Sequence, residues 1–100
     1  MSRITPRDFV KDPDAVLPFG IDWTDWLVRE GITSPSFSWQ LPEGITSAEQ
    51  SVQNIDGRTV AVAWISGGEH GRRYRVTCRV DDAATDKRDE RSILIQVRER

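Results

Sequence analysis

Arg73-Tyr74-Arg75-Val76-Thr77-Cys78-Arg79-Val80 alternates apolar and polar side chains without a break. Tyr74, Val76, Cys78 and Val80 fall on one face and the arginines and threonine on the other, the period-two pattern of a half-buried antiparallel strand. The flanking segments extend this reading. Val60–Ile65 is continuously apolar and predicts a central strand covered on both faces, and Ser92–Val97 sets Ile93, Ile95 and Val97 on one face. Between the last two strands, the polar stretch Asp81–Glu90 predicts a hairpin loop of about ten residues. Upstream, Ile32–Leu41 places Phe37, Trp39 and Leu41 on one face, with Pro35 marking an edge, a bulge or a strand start. Ile45–Ile55 is a polar edge strand, and Asp56-Gly57 is a tight hairpin turn. Ala15–Trp23 predicts the first strand, followed by a short helical turn at 24–27 that Thr24 caps and Asp25 favours.

About six to seven short antiparallel strands without a long helix predict an all-β sandwich. Tyr74 opens its strand just after a turn containing Gly71, which resembles the tyrosine corner of immunoglobulin-like and fibronectin-like sandwiches. Cys78 then stands where such domains often carry a disulfide cysteine, and here it has no second cysteine to pair with. Residues 1–8 read as a flexible N-terminal arm and residues 9–100 as a single domain. Trp39 and Trp64 are expected in the core.

Composition narrows the function classes. Thirty per cent charged and 37% hydrophobic residues describe an ordinary globular chain. No apolar run approaches the ~18 residues of a membrane span, and the N-terminal MSRITPRDFVKD lacks the apolar stretch of a secretory signal. A net charge of −2 argues against general nucleic-acid binding. The first fifty residues carry four basic and eight acidic side chains, the second fifty ten and eight. Arginine outnumbers lysine twelve to two, an excess that suits bidentate contacts at protein interfaces and also follows from GC-rich coding.

No catalytic constellation is present. His70 beside Glu69 lies in a glycine-rich turn without the positioned partner and pocket that acid–base chemistry needs. Asp12-x-Asp14 lacks the glycine and the bidentate glutamate of a calcium loop, and the spacing of Asp22 and Asp25 is too generic for a glycosidase pair. We therefore expect no enzyme activity, no cofactor and no metal. Two features are candidate partner-binding elements. Arg73, Arg75 and Arg79 project from one strand face as a positive stripe. Of Trp23 and Trp26, one is expected to anchor the core and the other to be exposed for docking, or for stacking on a sugar in a carbohydrate- or surface-binding module.

Two blocks of sequence carry a family resemblance. Lys11-Asp-Pro-Asp-Ala-Val-Leu17 followed by Asp22-Trp-Thr-Asp-Trp-Leu27 resembles the N-terminal signature of bacteriophage and prophage fiber–tail adaptor proteins. Trp64-Ile-Ser-Gly-Gly68, Tyr74-Arg-Val-Thr77 and Asp89-Glu-Arg-Ser92 match that family's W-L-S-G-G, Y-x-V-T and D-E-R-S elements, and Trp39-Gln-Leu-Pro-Glu-Gly-Ile-Thr46 its W-x-x-P-x-G-L-T turn. Pro18, His70 and Cys78 depart from the pattern. The resemblance spans about residues 9–98. It implies an immunoglobulin-like structural protein of a virion or a prophage remnant, made in the host cytoplasm and placed in the tail or neck. Its partners would be tail, neck or fiber proteins, and it would assemble as a ring of copies, with a monomer before assembly left open.

Overall fold

Two β-sheets face each other in the computed structural model, which describes residues 7–99. In chain order the elements are β1 (Arg7–Lys11), β2 (Leu17–Asp22), α1 (Thr24–Glu30), β3 (Ser36–Gln40), β4 (Ile45–Ile55), β5 (Arg58–Gly67), β6 (Arg73–Asp82) and β7 (Lys87–Val97). One sheet runs β1-β7-β6-β3 and the other β2-β5-β4. The all-β sandwich expected from the alternation is therefore what the chain forms. Val76, Cys78, Val80, Ile95 and Val97 of the first sheet meet Ala61, Ala63 and Ile65 of the second, all without solvent exposure. Phe9 of β1 and Phe19 of β2 meet edge to face across the sheets, 5.3 Å between centroids, an arrangement worth about 0.5–1.5 kcal/mol beyond area burial.

Several local expectations need correction. The strands are not all antiparallel: β1 pairs parallel with β7, from Arg7 opposite Ile93 to Lys11 opposite Val97. Its backbone takes up Arg7 and Asp8 from the expected arm, whose first six residues lie outside the described ones. The ten-residue loop is also shorter than expected. β6 and β7 stay paired out to Asp82 opposite Lys87, leaving only residues 83–86 as the turn. Asp82 is buried and accepts a 2.7 Å hydrogen bond from the Thr85 hydroxyl, which steadies that turn.

The helical turn grows to seven residues, because Gly31 at φ 69° accepts the left-handed conformation that ends a helix, and its N–H reaches Leu27 and Val28 carbonyls. Thr24 does not cap it. Its hydroxyl instead accepts the Thr59 N–H at 2.7 Å, stitching the helix start to β5. Finally, Trp64 is half-buried on the outer face of its sheet, since its neighbours Ala63 and Ile65 take the inward positions. Trp39, also half-buried, does pack against the core.

Candidate functional site

The aromatic segment after β2 is an internal support. Trp23 is fully buried and Trp26 is 5% exposed, so neither presents a ring for docking. Their rings meet edge to face at 5.8 Å, and Arg91 lays its guanidinium 4.4 Å over the Trp23 centroid, a cation–π contact. Arg91 also donates through Nη1 to the Asp22 carbonyl at 3.0 Å, closing this end of the sandwich. Asp22 and Asp25 bracket Arg58 at 2.7 and 3.5 Å and form no acid–base pair. Desolvation alone would raise the Asp22 carboxyl, but hydrogen bonds from Arg58 and Thr24 outweigh it and hold it down at about 2. Beneath Trp23, burial pushes the Cys78 thiol up to about 11, slightly offset by the indole.

At the opposite end, Lys11 is buried completely and donates to the carbonyls of Asp12 at 2.8 Å and Gly67 at 2.7 Å. Burial lowers its ammonium below the usual lysine range, against the opposing pull of Asp12 and Asp14. The Tyr74 hydroxyl accepts the Glu69 N–H at 3.0 Å, and Gly44 and Gly68 pack against the Tyr74 ring, where an added Cβ would lie 3.0 and 3.3 Å from it. His70 does not engage Glu69. Its Nδ1 accepts the Glu99 N–H at 3.0 Å, while Glu69 pairs with Arg72. Among the described residues no cluster of His, Cys, Asp or Glu is arranged to hold a metal ion, and no helix is long and apolar enough to cross a membrane.

The arginine stripe does share one outer face, but its members differ. Arg73 reaches Asp8 of β1 at 3.5 Å, and Arg79 is half-buried against Asp81 at 3.0 Å. Hydrogen bonds from Arg79 and Arg88 hold the Asp81 carboxyl below its ordinary range. Arg75, exposed and opposite Leu94, makes no ion pair among the described residues. It is the member of the stripe left with its charge uncompensated.

One concave surface was not visible in the sequence. Where the sandwich opens between β3 and β4, a groove of about 630 Å³ is lined by Leu27, Val28, Ile32, Phe37, Val52 and Asn54, among others. No charged side chain lines it. Val28 and Val52 are 76% and 47% exposed there. Such a surface suits a polypeptide better than an ion, since it offers apolar contact and neutral hydrogen-bonding groups.

Comparison with known proteins agrees with the motif reading. Residues 11–96 match the Gp77 family model, described as podophage GP4 fiber-tail adaptor protein gp77. No curated protein and no solved structure matches.

Proposed function

This chain belongs to the podophage GP4 fiber-tail adaptor family, and we propose that it acts in the virion tail as a non-enzymatic adaptor joining tail, neck or fiber proteins. The observation that carries this reading is the family match across nearly the whole sandwich. The motif residues behind the resemblance have structural work: Lys11, Gly68 and Tyr74 at one end, Trp23 and Arg91 at the other. Partner choice then belongs to the exposed surfaces between those ends. The outer face centred on Arg75, flanked by Arg73 and Arg79, is the contact we assign to a carboxylate-bearing partner, because an unpaired guanidinium favours a bidentate acid. In the tail, copies would be arranged as a ring through heterologous contacts.

The strand order supports an immunoglobulin-like reading. Lettered in chain order, β2-β5-β4 follows the B-E-D set and β3-β6-β7 the C-F-G set, with β1 departing by joining the last strand. A sugar-stacking module loses its platform with the burial of Trp23 and Trp26.

The test is genetic. A phage lacking the chain should assemble tails without fibers, seen by electron microscopy; complete tails in its absence would refute the adaptor role. A phage carrying Arg75→Glu should make a stably folded protein that fails to join the particle. Normal incorporation of that variant would leave the adaptor role standing and remove the arginine face from it.

A further inference from the structure

We propose that β4 is a dimerisation edge, through which two copies of this chain pair antiparallel about a two-fold axis at Val52. The inference stands on the edge itself and does not depend on the adaptor reading. Among the described residues four strands end the two sheets: β1 and β3 in one, β2 and β4 in the other. β1 and β3 have five residues each, and β2 carries Pro18. Short edges and edge prolines discourage pairing with another chain. β4 has none of these protections. It spans eleven residues without proline or lysine, and beyond the irregularity at Thr46/Glu49 residues 49–55 run in unbroken register on β5. Along its outer side, alternate backbone N–H and C=O groups face away from β5, as at any sheet edge.

The sequence of that segment favours a copy of itself. Val52 is the midpoint of 49–55, so pairing over the full length sets Val52 against Val52 and Ser51 against Gln53. It also sets Gln50 against Asn54, and Glu49 against Ile55. No like charges meet in this register, and the central pair is apolar. Small polar and amide side chains oppose one another on either side of it. Cross-strand pairs of this kind are the unit of sheet stabilisation. Val52 and Ile55, 47% and 50% exposed in the single chain, both gain cover.

Face parity also agrees. Gln50 and Val52 stand opposite the inward Ala63 and Ala61 of β5, and antiparallel partners share a face. Two three-stranded sheets would thus join into one of six, with both grooves on the same side. Each copy has one such edge, so the contact is isologous and stops at two.

Sedimentation of the intact chain across micromolar to millimolar concentration reads the association directly. We expect a reversible monomer–dimer equilibrium, lost in Val52→Lys and in Val52→Asp, each of which puts like charges on the axis. Mixing the two variants should restore a dimer, and Val52→Cys should cross-link to itself under mild oxidation, since directly opposed strand residues lie within the ~4.4–6.8 Å Cα span of a disulfide. Val52 is half-exposed, and unchanged thermal midpoints will verify that the variants fold. A chain that stays monomeric throughout overturns the proposal, the edge then being open to a strand of another protein. So does a dimer that Val52→Lys leaves intact, or charge variants that fail to recombine.

Discussion

The Lys11 ammonium donates to the Gly67 carbonyl at 2.7 Å with no solvent exposure, tying the first strand of one sheet to the last residue of β5 in the other. A lysine at full burial is rare unless its donors are satisfied. Here two carbonyls and the nearby Asp12 and Asp14 compensate the charge.

Lys11→Ala should therefore cost about 2–4 kcal/mol, combining a cavity with the loss of both hydrogen bonds of the ammonium. Lys11→Met keeps most of the stem volume and should lose less. The difference between the two, measured by urea unfolding, isolates packing from the ammonium's hydrogen bonds.

The Asp22–Arg58 contact predicts an acid-sensitive component of stability. The folded carboxyl titrates at about 2, below its ordinary 3.8. The folded state thus binds fewer protons between those values. The contribution is complete above the unfolded value and is lost as pH falls through the folded one. With the Asp22 side chain 40% exposed, screening keeps the effect below about 1 kcal/mol. Urea midpoints followed down to acid pH should show this slope, and Asp22→Asn should remove it.

Gly68 and Gly71 separate steric from conformational cost. Both have positive φ, 98° and 89°, but a Cβ at Gly68 would lie 2.6 Å from Val97 Cγ2 while one at Gly71 meets nothing. Gly71→Ala should cost about 1 kcal/mol, the penalty for that backbone region alone. Gly68→Ala should lower the thermal midpoint clearly further, because the end of β7 and the Tyr74 ring must shift as well.

Cys78 should be inert in the native protein. Its thiol is fully buried and pushed up to about 11, so almost no thiolate exists at neutral pH. An aromatic disulfide reagent should label it only at the rate of unfolding, and rapid labelling without denaturant would contradict the burial.

Side-chain period made β6 and the hairpin at Asp56-Gly57 readable, because one face of each flanking strand is buried and the turn demands positive φ. β7 was readable only from Ser92 onward. Its first residues, Lys87-Arg-Asp-Glu-Arg91, are all charged, and they form a strand because β6 lies beside them and Asp81 answers Arg88 at 2.8 Å. β1 had no local signal at all, being short and parallel and existing only through β7. The acids beside Trp23 and Trp26 suggested a surface, yet Asp22 and Asp25 turn outward to Arg58 while both indoles turn in. Lys11 was hidden for a simpler reason: nothing in composition marks a lysine that will be buried. The groove arises where two sheets diverge, and no stretch of sequence encodes that gap.

The parallel pairing of β1 with β7 has a mechanical consequence. Arg7 lies level with Ile93, and Lys11 with Val97, so the N-terminal end of β1 and the C-terminal end of β7 leave the ladder in opposite directions. A pull applied between Arg7 and Glu99 slides β1 along β7 and strains the rungs together, instead of peeling them apart singly as it would in a hairpin. Tension delivered through the two ends of the chain therefore meets the sandwich in its most resistant direction.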